Sequence, residues 1–276
     1  MASRTHYSNS MSIAELNSTR VTCNICGSDV SSVLIKKGGF DIYQCPTCHL
    51  AFTYPQPESI AEQYDSDYFG IYRRRRNFRL RRAVERLKRI ELIKQPGRIL
   101  DIGCSLGYFV EAAKSRGWQA SGVEISAAAS EEARDFGLDV RTGVLEEANY
   151  PDASFDCVTM WDVLEHVPDP TAHMLEVRRI LVPDGIVVIG TPDLGHMTFR
   201  MKRESWRHLK PSEHIFYFQN TSIARLLAKT GFNLIQPPII GGRSFSGSFG
   251  TAIKCAFTRI IQPNDVMTVY GAKNDL

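Results

Sequence analysis

The sequence predicts an α/β fold, a mainly parallel sheet wound on both faces by helices, preceded by a small cysteine-rich module. Three observations carry that reading. From residue 98 onward short apolar runs suited to buried strands alternate with stretches of helical periodicity. Glycines stand where the helices should stop, and polar caps stand where they should start. Four of the seven cysteines form two Cys-x-x-Cys pairs near the amino end. With 276 residues, 43% of them apolar and 23% charged, the chain can build a large core, which excludes a disordered, collagen-like or coiled-coil protein.

Residues 1–20 read as a disordered polar tail, with neither an apolar stretch nor a small-residue cleavage site. Residues 21–55 form the cysteine module, where Phe40-Asp41-Ile42-Tyr43-Gln44 alternates like a short strand. Residues 56–95 read as a helical, basic linker beginning near Ile60, with Leu80, Val84, Leu87 and Ile90 on one face and Pro96-Gly97 as its stop. Residues 96–276 form the main domain. Its first strand, 98–102, leads through a glycine turn into a helix over 108–116 that Gly117 ends. A strand over 120–125 follows, and Ser126 caps a helix that stops near Gly137. Strands over 140–143, 155–160 and 186–190 flank a helix over 172–181. Asn220 or Thr221 caps a helix that runs through Lys229 to Gly231, strands follow over 233–236 and 266–271, and the connection 241–248 is rich in Gly and Ser. Ligands in such a sheet are expected beyond the carboxyl ends of the strands.

Cys23-x2-Cys26, 18 residues, then Cys45-x2-Cys48 is the spacing of a four-thiolate structural zinc site, since each knuckle gives two sulfurs to one tetrahedron. Cys104, Cys157 and Cys255 stand alone in apolar surroundings, which argues against a disulfide framework. No apolar run approaches the ~18 residues of a membrane span, so no membrane partner and a cytoplasmic location are expected. The formal charge of +3 conceals a basic segment: Tyr72 to Gln95 carries eleven Lys or Arg against Glu85 and Glu91, and the remainder of the chain is net acidic. Such a run reads as a solvated helix face, a site for a small phosphate-bearing substrate, or a nucleic-acid contact.

Asp101-Ile102-Gly103-Cys104-Ser105-Leu106-Gly107 ends the first strand of the alternating region, and its glycines let the backbone approach a ligand. Glu124 ends the next strand, where a carboxylate can accept both hydroxyls of a ribose. A nicotinamide site needs glycine at 103, 105 and 108, but Ser105 and Tyr108 occupy two of these positions. Gly103-Cys104-Ser105-Leu106-Gly107 also spells the nucleophile elbow of serine hydrolases, with Asp162 or Asp193 and His208 or His214 following, but it lies on the wrong strand for that fold.

Ile99-Leu100-Asp101-Ile102-Gly103-Cys104-x-x-Gly107, Val123-Glu124-Ile125-Ser126, Phe155-Asp156-Cys157-Val158, Leu164-Glu165-His166-Val167 and Ile180-Leu181-x-Pro183-x-Gly185 together resemble the ordered motifs of class I S-adenosylmethionine-dependent methyltransferases. The resemblance implies a Rossmann-like, seven-stranded doubly wound sheet and S-adenosylmethionine as cofactor. It implies that Asp101, Gly103, Cys104, Ser105 and Gly107 surround the methionine end, Glu124 the ribose and Ile125 an adenine face, with Leu145, Trp161 and Asp162 completing the site. Ser105 replaces the usual middle glycine and should be tolerated if its φ is ordinary. Adenine is left to backbone groups or to Glu146, because Val144 and Leu145 stand where the family often has an acid.

The acceptor side needs a base. Asp162, Glu165 and His166 would share one face of a helical turn, a spacing that also suits a second divalent metal, similar to a Glu-x-x-Glu-His motif of some quinone-biosynthesis and small-RNA methyltransferases. The paired cysteines, the methyltransferase motifs and the late Glu213-His214 are together similar to sugar and cell-surface glycan methyltransferases. That resemblance implies a nucleotide-sugar or glycan acceptor, methylated at a hydroxyl or a carbon, with Glu213 orienting His214 as base and His166 as second choice. His173, His196 and His208 lack such a context. The competing readings are an RNA methyltransferase using the basic helix and a non-catalytic binding protein on the same fold.

Overall fold

In the computed structural model the described residues are 21–57, 69–236 and 265–274. The expected tail, the helix start near Ile60, the 241–248 connection and Cys255 lie outside them. The strands of the module are β1 (Val21–Thr22), β2 (Asp29–Val30), β3 (Val33–Lys37), β4 (Phe40–Gln44) and β5 (Ala51–Tyr54). Two helices follow, α1 (Gly70–Arg74) and α2 (Arg76–Ile90). The main sheet is built from β6 (Arg98–Ile102), β7 (Gln119–Glu124), β8 (Asp139–Thr142), β9 (Phe155–Trp161) and β10 (Leu181–Pro192). Between these strands lie α3 (Tyr108–Ser115), α4 (Ala127–Asp135) and α5 (Pro170–Ile180). Then come α6 (Met197–Lys202), β11 (Phe216–Tyr217), α7 (Asn220–Lys229), β12 (Phe232–Ile235) and β13 (Val266–Lys273).

Seven strands form the main sheet in the order β12-β13-β10-β9-β6-β7-β8, a Rossmann-like methyltransferase fold. β6 to β10 pair in parallel, and β13 runs antiparallel to both of its neighbours. Alternation along the strands divides the core. Leu100, Val158, Met160, Val187 and Ile189 join Met174 and Val177 of α5 and Leu226 and Leu227 of α7 on one face. Ile99, Cys157, Ile186 and Val188 join Leu87 and Ile90 of α2 and Phe109 and Ala113 of α3 on the other. Each buried Val, Leu, Ile, Met or Phe among them contributes about 1.5–3 kcal/mol.

Element limits follow local chemistry. Ser126 accepts from the Ala129 N–H to start α4, as expected. α5 starts earlier than predicted, at Pro170, because Asp169 accepts from the N–H groups of Thr171 and Ala172 and proline suits a first helical position. α7 is capped by Gln219 in a reciprocal box with Ser222, and not by Asn220 or Thr221. β10 starts at Leu181 and reaches Pro192, longer than the run 186–190, with a register irregularity between Leu181 and Ile186.

The module is joined to the main domain by shared structure. β11, from the carboxyl half of the chain, pairs antiparallel with β5 and closes a four-stranded sheet in the order β11-β5-β4-β3. Cys23, Ile25, Leu50 and Phe52 pack in the same buried cluster as Ile215, Phe218 and Ile223. On the far face of the small sheet, Ile35, Ile42 and Tyr217 pack with Leu194, Phe199, Trp206 and Leu209.

Candidate functional site

Two groups of side chains meet along the carboxyl edge of the main sheet. The first surrounds the turn after β6. Gly103 has φ +67, and a Cβ there would lie 2.5 Å from Val163 Cγ2, so glycine is required on steric grounds as well as by conformation. Ser105 does not keep the ordinary φ expected of it: its φ is +54. The conformation is held by Glu124, whose Oε2 accepts the Ser105 N–H at 2.8 Å while Oε1 accepts the Ser126 N–H at 2.9 Å. The Glu124 carboxylate thus joins the ends of β6 and β7. Burial raises its pKa above the usual carboxylate value.

Asp101 is 3% exposed and accepts from Thr159 Oγ1 at 2.6 Å. Burial pushes its pKa up to about 7, against the opposing effects of the Thr159 hydroxyl and the Arg86 guanidinium. Arg86 of α2 lies over the Trp161 ring, 3.7 Å from its centroid, and Trp161 in turn lies where a Cβ on Gly190 would be. Ile125 is 41% exposed beside the turn, an apolar face open to a ligand. Cys104 and Leu145 carry their side chains away into core clusters, so only their main-chain groups face this edge. Glu146 is not free for a base: its Oε1 lies 2.7 Å from the buried His173 Nδ1. Ser105 Oγ and Trp161 Nε1 are buried without a protein partner. Two orphan polar atoms, an exposed apolar side chain and a glycine cradle fit a nucleoside bearing an amino-acid tail.

The second group lies across Val163. The predicted helical turn over 162–166 is only partly formed, since the 3-10 turn covers Leu164–His166 alone. Asp162 has φ +58 and donates its N–H to the Gly190 carbonyl, which takes it off the face it was expected to share. The triad of possible metal ligands is therefore corrected. Glu165, His166 and His214 bring one ligand atom each to within 4.8 Å of the others, and Asp162 is outside the group. Glu165 is buried; Thr191 Oγ1 donates to its Oε2 at 3.0 Å, while Oε1 has no partner. Burial, followed by the charge of Asp162, raises its pKa well above normal.

The role expected of Glu213 changes as well. Its carboxylate pairs with Lys210 Nζ at 2.9 Å, and its carbonyl accepts from His166 Nδ1 at 2.8 Å. Because a carbonyl only accepts, the His166 proton sits on Nδ1 and Nε2 keeps its lone pair. Glu213 thus orients His166 and not His214. The two imidazoles meet edge to face with centroids 4.7 Å apart, and His214 Nδ1 is buried without a partner. Burial lowers the pKa of both rings, which keeps them neutral at pH 7. Orphaned acceptors on Glu165 and His214 beside an oriented His166 fit a divalent cation.

The sequence offered no signal for Thr53, Thr159 or Thr191, hydroxyls that come into place through strand pairing. His208, passed over for lack of context, lies 3.4 Å from Asp265 and near His214. Part of the basic segment is engaged: Arg73 pairs with Glu132 of α4 and Arg76 with Glu111 of α3, at 2.6 and 2.5 Å.

The four module cysteines converge from two similar knuckles. Cys23 and Cys48 sulfurs are 3.5 Å apart, and those of Cys26 and Cys45 are 3.4 Å apart. Tetrahedral zinc with bonds of about 2.3 Å sets sulfurs at about 3.8 Å, so the donor set fits that ion. Gly27 and His49, each following the second cysteine of its pair, both have positive φ.

A family model described as a methyltransferase domain matches residues 72–237. A protein of Alkalilimnicola ehrlichii named a ubiquinone biosynthesis O-methyltransferase is 36% identical over 101 residues, covering 34% of this chain and 41% of the relative. A Mycolicibacterium smegmatis protein named a probable S-adenosylmethionine-dependent methyltransferase is 30% identical over 138 residues, 49% of this chain and 52% of the relative. The chain thus spans about half or less of the length of these curated relatives. The crystal structure of an Archaeoglobus fulgidus SAM-dependent methyltransferase superposes with a TM-score of 0.53 at 18% identity, over 74% of this chain and all of the other, a likeness of fold.

Proposed function

The chain belongs to the methyltransferase-domain family, and from that premise we propose that it is a class I S-adenosylmethionine-dependent methyltransferase that methylates a hydroxyl of a small polar acceptor. The observation that supports this most directly is the joining of the β6 and β7 ends by Glu124, with the paired imidazoles of His166 and His214 beyond the end of β9 in the same sheet. Glu124 would receive the ribose hydroxyls, Ile125 would face the adenine, and the 103–107 turn and Asp101 would hold the methionine end. When bound, S-adenosylmethionine supplies a methyl group on a positively charged sulfur.

The remaining work falls to the protein's own groups. The edge of the sheet between Val163 and His214 aligns the acceptor oxygen with the methyl carbon. The acceptor proton passes to His166 Nε2 or to His214, with the Glu213 carbonyl holding the His166 ring in the required tautomer. With a divalent cation bound, Glu165, His166 and His214 would instead serve as its ligands, and the cation, in place of an imidazole base, would make the acceptor hydroxyl more acidic. Cys23, Cys26, Cys45 and Cys48 would hold a structural zinc ion, which would tie the two knuckles together.

The acceptor readings divide on the comparisons. The relatives named ubiquinone biosynthesis O-methyltransferases support transfer to oxygen. Hydroxyl methylation also accommodates a glycan or a nucleotide-sugar. Binding of RNA by the basic helix is less favoured, because Arg73 and Arg76 pair within the protein.

The test begins with calorimetric titration with S-adenosylhomocysteine, using NAD as control, followed by transfer assays on 3,4-dihydroxybenzoate, nucleotide-sugars and RNA. Saturable binding of S-adenosylhomocysteine alone is expected. Glu124→Ala should abolish that binding in a folded protein. His214→Ala should leave it intact and suppress transfer by about a hundredfold or more. No binding by zinc-replete, folded protein overturns the reading.

A further inference from the structure

Thr53 is 1% exposed and lies on β5, which belongs to the cysteine module, yet both of its donors are spent on the segment that carries His214. Its N–H donates to the Ile215 carbonyl at 2.9 Å, and its Oγ1 donates to the His214 carbonyl at 2.8 Å. The preceding carbonyl, that of Glu213, accepts from His166, and the Ile215 N–H donates to the Glu165 carbonyl. Three consecutive carbonyls are therefore held, one by His166 and two by Thr53. The His214 ring is 5% exposed, touches the rings of His166 and Tyr217, and has no hydrogen bond at Nδ1. Apart from a hydrogen bond to the His208 main chain, its placement depends on how firmly the main chain beneath it is fixed.

β5, which carries Thr53, follows directly on the second knuckle, and that knuckle is fixed. The Cys45 N–H donates to the Leu50 carbonyl, the Cys48 carbonyl accepts from Thr221 Oγ1, and the His49 carbonyl accepts from Gln219 Nε2. Valine would satisfy the strand and the buried surroundings at position 53 at least as well as threonine. The hydroxyl is the feature that the site uses.

We propose that Thr53 is a positioning residue for methyl transfer, through which the cysteine module fixes the main chain beneath His214. The proposal rests on the reading of His166 and His214 as the transfer site. It assigns the module a part in catalysis without contact with the cofactor.

The test uses the full-length, zinc-loaded protein with Thr53→Val, which keeps shape and loses the hydroxyl, and Thr53→Ser, which keeps the hydroxyl. In Thr53→Val, equimolar zinc and an S-adenosylhomocysteine affinity within about twofold of the parent are expected. Amide hydrogen exchange over residues 210–218 should accelerate by about tenfold or more, because a buried carbonyl loses its partner. With 3,4-dihydroxybenzoate, or another acceptor of the panel that is turned over, kcat should fall by about tenfold with KM within about twofold. Thr53→Ser should restore exchange and kcat to within about threefold of the parent. Unchanged exchange over 210–218 in Thr53→Val, or a Thr53→Ser protein that behaves like Thr53→Val, overturns the proposal. The exchange measurement needs no acceptor, so failure of the methyltransferase reading, seen as absent cofactor binding, is separable from failure of this one.

Discussion

Ser105 and His49 occupy left-handed backbone positions that glycine would fill at lower cost. At Ser105 the Glu124 carboxylate offsets this cost by accepting the N–H, so the strain and the proposed cofactor site share one bond. Ser105→Gly should raise stability by about 1 kcal/mol, measured by urea unfolding without cofactor. A destabilised variant would show that the buried Oγ matters more than the backbone. Asp101 supports a second prediction. Its folded pKa, about 7, lies above that of an unfolded aspartate, so the folded state holds a proton that the unfolded chain releases. Its contribution to stability is complete below about pH 4 and is lost as pH rises through about 7. Asp101→Asn should therefore gain stability relative to the parent between about pH 5 and about pH 8, seen as a rising difference in denaturation midpoints. A difference that does not change with pH would count against this account.

At the scale of elements, strand and helix order was legible because periodicity and end signals agree there: Gly117, Gly137 and Gly231 all take positive φ just past a helix. Element starts were less legible. Asp169 and Gln219 cap through side-chain bonds that compete with equally plausible neighbours, Asn220 and Thr221 in the second case. Gln219 also reaches the His49 carbonyl at 2.9 Å. Gln219→Ala should cost about 1 kcal/mol in thermal unfolding, a cap loss that alanine at the exposed Asn220 would not reproduce. The turn after β9 misled for a related reason. The sequence shows acids and an imidazole at helical spacing, but the bond from the Asp162 N–H to Gly190 comes from a different strand. No local pattern encodes it.

For the whole molecule, the cofactor edge was readable because Asp101, Gly103, Gly107 and Glu124 lie on neighbouring strand ends, and strand order follows from right-handed crossovers. The four cysteines were readable from spacing alone. The join between them and the main domain was not, because β11 is two residues long and pairs with a strand far away in sequence. Since the knuckles share a buried cluster with Phe218 and Ile223, removing the metal should loosen more than the module. Chelation at neutral pH should lower the unfolding midpoint by about 10 °C while leaving a single transition. Two separate transitions would show that the parts fold independently.

Strand β13 has a consequence for synthesis. It lies between β10 and β12, antiparallel to both, and follows them in the chain. As the polypeptide leaves the ribosome, β10 and β12 therefore appear with unpaired edges facing each other across a gap. β5 likewise waits for β11, and Thr53 waits across 161 positions for His214. The nascent chain cannot complete the small sheet before residue 217 or the main sheet before residue 273 is made, which leaves an interval in which open edges invite chaperones or mispairing.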